Sequence, residues 1–352
     1  RFYIETRAEL DTTNYKWQLD AAAFISEYIA DYDKAMEYNN RALACAIEQF
    51  GENSEEVSVC YNDIAQIYSV QGDLEKALEL QKRSLAISIP ILGEEHEDIA
   101  VIFNNIARIC HEQGKLAEAI ELNRKSLAIR IAVLGDNHPM VATSYNNMAT
   151  VYFDQGNYVK AIELMNKSLD INIAHYTESH QNVASSYNNM AAFYFTLGDY
   201  VKALEFCNKS LELRLKVFGE NHPDVANSYL KIADVYLAQG DYARAFDFYN
   251  KSHALYLSFF GENHPNVAVA YSGIALYYYS ISDYTKSLEF FEKSLAVNLA
   301  VYGEKHAYVA SDYSCIAMVY STMCDYAKAL ELYNNSLEIR LSVVGKNHLV
   351  IA

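Results

Sequence analysis

The amino-acid sequence predicts an all-α fold, a solenoid built from stacked helix–turn–helix hairpins. Glycines recur every 42 residues from Gly51 to Gly345, with Thr177 as the one exception, and histidines recur with the same period from His96 to His348. Between these markers, apolar residues have the spacing of amphipathic helices. A period of this length is typical of repeat arrays, in which stacked neighbours bury a continuous core.

Each unit begins with one amphipathic helix. In the unit that follows residue 138, Pro139 suits the first helical turn, because its missing N–H would have no partner there. Tyr145, Met148 and Tyr152 then lie on one face of the helix. Gly156 ends this helix, since glycine adopts the left-handed conformation at little cost.

A second amphipathic helix completes the unit. Its apolar stripe includes Tyr158, Ala161, Met165 and Leu169. Ala161 faces the similarly small Ala149 of the first helix, so we expect the two helix backbones to approach closely.

The constant period sets the boundaries of the array. Eight units of 42 residues begin at residues 16, 58, 100, 142, 184, 226, 268 and 310 and end at residue 351. Residues 1–15 do not fit the repeat and are expected to be a divergent segment or a partial unit. Because Ala352 repeats Ala310 and the last helix still carries an apolar stripe, we expect the array to continue beyond residue 352.

These motif residues resemble a known family. The segment from Tyr145 to Ala149, followed by Tyr152, Gly156 and Tyr158, is similar to a tetratricopeptide repeat. The linker from residue 134 to residue 142 is similar to that of the longer, 42-residue variant found in kinesin light chains and nephrocystin-3-type proteins. The resemblance covers residues 19–352 and implies a right-handed α-solenoid superhelix.

Composition narrows the classes of partner. The 352 residues carry a formal net charge of −17, which argues against nucleic acid, whose phosphates are neutralised by clustered Lys and Arg. No run of 18 uncharged apolar residues is present, so no membrane insertion is expected. The six cysteines form no C-x-x-C pair and are interpreted as free thiols in a reducing, cytoplasmic compartment. No sequence feature indicates an oligomeric state.

The repeated histidines do not predict an active site. Equivalent residues of stacked helices lie roughly 10 Å apart, whereas the ligands of a metal ion lie about 2 Å from it. The simpler interpretation places each histidine beside a helix start, where it satisfies polar groups of the loop. No phosphate-binding glycine loop and no hydrolase or zinc-protease motif is found. We therefore predict a protein that is not an enzyme and that has no metal and no cofactor.

The resemblance also implies a binding face. In tetratricopeptide repeat proteins, one face of the first helices lines a concave groove that holds extended peptides. Four positions per unit fall on this face, and in the unit that begins at residue 58 they are Val59, Asn62, Gln66 and Ser69. This row is nearly uncharged, with Arg108, His111 and Asp234 as its titratable members. Because Arg108 is its only strongly basic residue, acidic peptides are not favoured as ligands.

The row changes character along the chain. It contains asparagine in the earlier units, whereas apolar residues such as Leu230 and Met318 dominate from residue 226 onward. An amide offers two donors and an acceptor, so a column of asparagines could bond a peptide backbone. The alternative is that these amides tie one repeat to the next. The predicted peptide-binding residues are Asn62, Asn104, Arg108, Asn146, Phe153, Asn188, Phe195 and Tyr279.

The sequence thus predicts a non-catalytic scaffold or adaptor that binds protein or peptide segments in the concave groove. The alternative is a sensor or regulatory arm of a larger protein with a separate effector domain. A third hypothesis, an enzyme that acts through its histidines, requires a turnover that a His222→Ala change abolishes.

Overall fold

The computed structural model describes residues 2–176 and 180–344. In these two stretches the structure consists of helices, seventeen of them α-helical, and contains no strand, which confirms the all-α prediction. The chain divides into two compact units, residues 1–136 together with residues 341–352, and residues 137–340. Of the repeat markers, Thr177, Gly345 and His348 lie outside the described residues.

The chain begins with a short helix that packs on the first helical pair. Helices α1 (Phe2–Leu10), α2 (Tyr15–Phe24) and α3 (Tyr32–Phe50) follow in order, and α2 continues into a π-helical turn, Ile25–Ile29. The fully buried Gln18 donates from Nε2 to the carbonyl oxygen of Ala8 at 2.7 Å. Glu9 accepts hydrogen bonds from Tyr38 and Arg41 of α3. The segment before residue 16 is therefore helical and anchored by polar contacts.

From residue 55 onward the chain forms hairpins of equal proportions. The first helix of each hairpin has 16 residues: α4 (Glu55–Val70), α6 (Glu97–Glu112), α8 (Pro139–Asp154), α10 (Gln181–Thr196), α12 (Pro223–Ala238), α14 (Pro265–Ser280) and α16 (Ala307–Thr322). The second helix has 19: α5 (Leu74–Leu92), α7 (Leu116–Leu134), α9 (Tyr158–Tyr176), α11 (Tyr200–Phe218), α13 (Tyr242–Phe260), α15 (Tyr284–Tyr302) and α17 (Tyr326–Val344). Within each compact unit, consecutive helices pack side by side as an α-solenoid.

The repeated histidines are helix caps. In α6, α8, α10, α12, α14 and α16, the N-cap histidine accepts a hydrogen bond at Nδ1 from the backbone N–H two residues later, at 3.1–3.2 Å. Four of these rings also stack on the aromatic ring four residues earlier, as His264 does on Phe260 with 3.7 Å between centroids. This is the structural role that the simpler interpretation of the sequence expected.

The turn inside each hairpin requires a left-handed residue. Gly156 has φ +82° and supplies this conformation between α8 and α9, as predicted. Ser282 and Cys324 occupy the equivalent position in the last two hairpins, and they adopt φ of 63° and 65° there. The turn geometry is thus kept where the glycine is lost.

Small side chains let the two helices of a hairpin approach closely. Ala149 and Ala161 are both 0% exposed, as the sequence predicted. A serine that recurs in every second helix from Ser84 to Ser336 is also buried, at 0–2% exposure. Its hydroxyl donates to a backbone carbonyl of the first helix in three hairpins, in the pairs Ser126–Ala100 (2.7 Å), Ser210–Ala184 (2.8 Å) and Ser336–Ala310 (2.7 Å).

A glycine inside α14 makes room for a large buried ring. Tyr249 of α13 is 0% exposed, and its hydroxyl donates to Asp234 Oδ1 at 2.8 Å. A Cβ atom on Gly273 would lie 2.5 Å from Cε1 and 2.7 Å from Cδ1 of this ring. The two residues are therefore matched in size.

We expect Ser210→Ala to destabilise the fold by about 1 kcal/mol, because it removes a buried hydrogen bond and leaves the Ala184 carbonyl without that donor. Ser252→Ala is the matched control, since Ser252 occupies the equivalent position but its buried hydroxyl has no hydrogen-bond partner among the described residues. Urea unfolding midpoints measure both. Equal destabilisation by the two changes would contradict the role given to the serine hydroxyl.

We expect Gly273→Ala to destabilise by about 1–3 kcal/mol through overpacking against Tyr249, although glycine to alanine within a helix ordinarily stabilises by about 0.5–1 kcal/mol. In a Tyr249→Leu background the same change should become neutral or stabilising, because the ring is gone. A double-mutant cycle of unfolding midpoints tests this coupling. Additive effects of the two changes would show that the contact between residue 273 and the Tyr249 ring does not cause the destabilisation.

Candidate binding groove

The first-helix row contains two kinds of position. Members equivalent to Val59 are exposed in five of the seven units and those equivalent to Gln66 in three, whereas none of those equivalent to Asn62 and Ser69 is exposed. The exposed members are Val59, Gln66, Arg108, Thr143, Ser185, Ala192, Val269 and Ser311. Eight of the 28 row positions are therefore exposed, and the others are half-buried or buried.

Two of the predicted asparagines join successive repeats. Asn62 Oδ1 accepts from Gln81 Nε2 at 3.0 Å and from Asn105 Nδ2 at 2.8 Å. Asn146 Oδ1 accepts from Asn189 Nδ2 at 2.7 Å. Both inter-repeat bonds span 43 residues, and we call this pattern the asparagine ladder. The ladder gives Asn62 and Asn146 the tying role considered as the alternative above, and peptide binding by them stays a prediction.

The other two asparagines occupy the same position in their helices. Asn104 is half-buried on α6. Asn188 is half-buried on α10, and its Oδ1 atom is buried without a hydrogen-bond partner among the described residues. The residue 43 positions after Asn188 is Lys231, whose ammonium lies 3.7 Å from Asp234 Oδ2. The ladder therefore stops at Asn188.

Arg108 is exposed, and its guanidinium is hydrogen-bonded to neighbouring side chains. Its Nη1 donates to Glu112 Oε1 at 2.7 Å and to Ser69 Oγ at 3.1 Å. Ser69 in turn donates to Glu112 Oε2 at 2.9 Å. The guanidinium charge is thus balanced by a neighbouring carboxylate, which makes Arg108 a weaker receptor for a ligand carboxylate than its sequence position suggested.

The three predicted aromatic residues are half-buried and lie in inter-helix contacts. Phe153 stacks on Phe193 of α10 with 4.2 Å between centroids and 10° between planes. Tyr279 shares a hydrogen bond of 2.9 Å with Thr322, again 43 residues away. Phe195 packs against a hydrophobic core cluster of the second compact unit, residues 137–340. Each keeps part of its surface open to solvent.

The structure adds a feature that the sequence analysis missed, a cavity that recurs between repeats. It is bounded by the first and second helices of one repeat and the first helix of the next. Its volume is about 250 Å³ at α4, α5 and α6, about 140 Å³ at α8, α9 and α10, and about 260 Å³ at α14, α15 and α16. Row members equivalent to Val59 line all three cavities. The row members equivalent to Val59 therefore form the rim of a series of side-chain-sized pockets.

One position in the second helix distinguishes open interfaces from filled ones. The open cavities are lined by Ser88, Asn172 and Asn298, which are equivalent and short. At the same position, α11 has Arg214 and α13 has Tyr256, which are 6% and 3% exposed. The sequence carried a signal for this difference, the irregular residue type at one position of an otherwise regular repeat.

Arg214 shows how the space is filled. Its Nη1 donates to the carbonyl oxygen of Asp224 at 2.9 Å, to Asn227 Oδ1 at 3.2 Å and to Ser228 Oγ at 3.0 Å. These three residues are equivalent to residues that line the open cavities. The guanidinium of Arg214 therefore lies where the other interfaces have empty space.

The cavity at α14, α15 and α16 has a carboxylate in its floor. Asp312 is 4% exposed and accepts from Ser294 Oγ at 2.9 Å and Asn298 Nδ2 at 2.6 Å. Burial raises the pKa of Asp312 to about 6, although the two hydrogen bonds act in the opposite direction. Burial and the nearby Asp312 carboxylate together raise the pKa of the Cys315 thiol to about 11.

Within residues 2–176 and 180–344, no group of three or more His, Cys, Asp or Glu side chains could hold a metal ion. Over the same stretches, no helix combines the length and apolar character needed to cross a bilayer.

The chain belongs to the tetratricopeptide repeat family. The family model matches residues 19–89, 61–132, 98–174, 182–258, 230–300 and 266–342, so the matches cover most of the chain. The resemblance seen in the motif residues is thereby confirmed. No curated protein matches the sequence.

Solved structures share the fold at low identity. The quorum sensor NprR from B. thuringiensis, in its apo form, is 15% identical with a TM-score of 0.63, covering 96% of this chain and 92% of that chain. A Rap protein complexed with competence and sporulation factor is 13% identical with a TM-score of 0.61, covering 94% and 98%. BtubC (BKLC) from P. vanneervenii is 21% identical with a TM-score of 0.50, covering 66% and 91%. At these identities the likeness concerns the fold.

We expect Asp312→Asn to stabilise the protein at neutral pH. Because the folded-state pKa is raised, the stability linked to this carboxyl is fully present below about pH 4 and is lost as pH rises through about 6. A rise from 3.8 to about 6 corresponds to about 3 kcal/mol. Urea unfolding midpoints at pH 7.5 and 4.5 measure the difference, which should shrink at the lower pH.

The matched control is Asp170→Asn, an exposed aspartate on α9. It should change the unfolding midpoint little at either pH. A loss of stability in Asp312→Asn at pH 7.5, or an effect that is the same at both pH values, would contradict the account of a carboxylate buried without a counter-charge.

Proposed function

We propose that this chain is a non-catalytic scaffold that binds an extended peptide or protein segment along the exposed members of its first-helix row. The recurrence of pockets directly beneath that row carries the proposal. Thr143 and Ser185 form the rim of one cavity and Val269 and Ser311 the rim of another. A segment that lies along the row can place side chains into these pockets.

The polarity of the row favours a segment that is itself not strongly charged. Its exposed members are small, polar or aliphatic, and the charge of Arg108 is balanced by Glu112. The acidic residues behind the net charge of −17 lie outside this row, apart from Asp234. Electrostatic attraction therefore contributes less here than burial and hydrogen bonding, which usually dominate at the centre of an interface.

The asparagine ladder contributes rigidity to the proposed surface. Its bonds hold adjacent first helices in a fixed relation before any ligand arrives. A preformed surface loses little conformational entropy when it binds. We further propose a reducing, cytoplasmic setting, in keeping with the six free cysteines.

The test uses variants that block a rim without touching the core. An array of 12-residue peptides of varied sequence is screened with the native protein, and the affinities of the best binders are measured by fluorescence anisotropy. Changing Thr143 and Ser185 to Arg, or Val269 and Ser311 to Arg, should weaken at least one class of binder by about tenfold or more, because each change closes a pocket mouth.

The matched control changes Val159 and Val201 to Arg. These valines are 82% and 76% exposed on the second helices, away from the cavities. The control should retain native affinities. If rim and control variants lose binding equally, or if no peptide on the array binds the native protein, the proposal is wrong.

A further inference from the structure

The cavity between α14, α15 and α16 differs from its equivalents in its floor. Ser294, Asn298 and Asp312 lie at its base and are 0–6% exposed. Its mouth is open, since Val269 and Tyr308 of the lining are 46% and 52% exposed. A water molecule takes up about 30 Å³ of the liquid, so a volume of about 260 Å³ leaves room for a long side chain.

Asp312 is a buried carboxylate without a matching cation. Within residues 2–176 and 180–344, no ion pair to Asp312 is found, and its hydrogen bonds come from the neutral Ser294 and Asn298. The nearby Arg340 on α17 directs its Nε to Ser336 Oγ at 3.2 Å. An ionised carboxylate offers about four lone-pair positions, so Asp312 retains acceptor capacity toward the cavity. Burying such a group costs free energy unless a cation or several donors compensate it.

The interface two repeats earlier shows which group fits this space. There Arg214 occupies the position of Asn298, and its guanidinium donates to Ser228, which occupies the position of Asp312. At α14, α15 and α16 the arginine is replaced by a shorter asparagine, while the acceptor is replaced by a carboxylate. Compared with the interface at Arg214, this interface therefore has no internal guanidinium and has a stronger acceptor for one.

We propose that this cavity is a receptor for an arginine side chain of the bound segment, with Asp312 as the group that receives the guanidinium. This inference rests on the proposed peptide-binding function and names the partner chemistry at one pocket. A guanidinium is planar and presents paired donors that match a carboxylate, which an ammonium does not. The rings of Tyr302 and Tyr308 line the same cavity, 5.3 Å apart, and provide faces on which the cation can rest.

The first experiment uses Nα-acetyl-arginine methylamide as the probe, with the lysine and citrulline analogues for comparison. Binding is followed by NMR chemical-shift changes in the full chain. We expect the arginine probe to bind at least about tenfold more tightly than the citrulline analogue, which has the same shape without the charge. Asp312→Asn should abolish this preference. Equal binding of arginine and citrulline, or binding of arginine unaffected by Asp312→Asn, would overturn the proposal.

The second experiment restores an internal guanidinium. Asn298→Arg should fill the cavity as Arg214 does, raise the thermal unfolding midpoint and remove binding of the probe. Asn172→Arg is the matched control, because it fills the equivalent cavity at α8, α9 and α10, whose floor has Ser186 in place of Asp312. This control should leave probe binding intact and stabilise less. If both changes shift the thermal unfolding midpoint equally, Asp312 does not determine how much the added guanidinium stabilises the interface.

The two proposals fail in different ways. If array peptides bind but show no arginine preference that depends on Asp312, the receptor assignment is wrong and the scaffold function stands. If the arginine probe binds through Asp312 while no array peptide binds, the cavity still recognises a guanidinium, but the scaffold function is wrong and a bound peptide segment is not the source of that guanidinium.

Discussion

The close approach of the two helices in every hairpin is the constraint on which the rest of the structure depends. Small side chains such as those of Ala149 and Ala161 are fully buried, and the buried serine of the second helix bonds to the first at Ser126, Ser210 and Ser336. Because the small alanines and the buried serine recur with the period of the sequence, the hairpins have the same shape. Stacking of equal hairpins then presents the same positions at every interface between repeats.

Although the backbone geometry is regular, the side chains that fill the interfaces between repeats differ from one interface to the next. Asparagine amides join the first helices where Asn62 and Asn146 stand, whereas a large ring against Gly273 fills the corresponding space at Tyr249. The position equivalent to Asn298 is short in some interfaces and is a buried arginine or tyrosine in others. A single backbone arrangement therefore yields both dry, filled contacts and open pockets.

Two of the buried polar side chains on first helices have few compensating partners. Asp312 is a carboxylate held out of water with neutral partners, and Asn188 has a buried oxygen without a donor in the described part of the chain. Both lie on first helices, where Asp312 faces the second helix of the preceding repeat and Asn188 occupies the position whose equivalents bond to the next repeat. Local departures from full polar satisfaction in an otherwise consistent fold are expected at functional sites. They are also the features that a purely structural repeat would lose through selection for stability.

The sequence by itself determined the helical hairpin, its length, its caps and its turn, because these depend on residues near one another in the chain that repeat every 42 positions. His264 at a helix start and Gly156 in a turn were predictable for that reason. Whether Asn62 faces a ligand or the next repeat depends on a partner 43 residues away, and periodicity does not specify side-chain direction between helices. Only the tertiary structure decided this, and only it revealed the cavities, since an empty space is bounded by three helices at once.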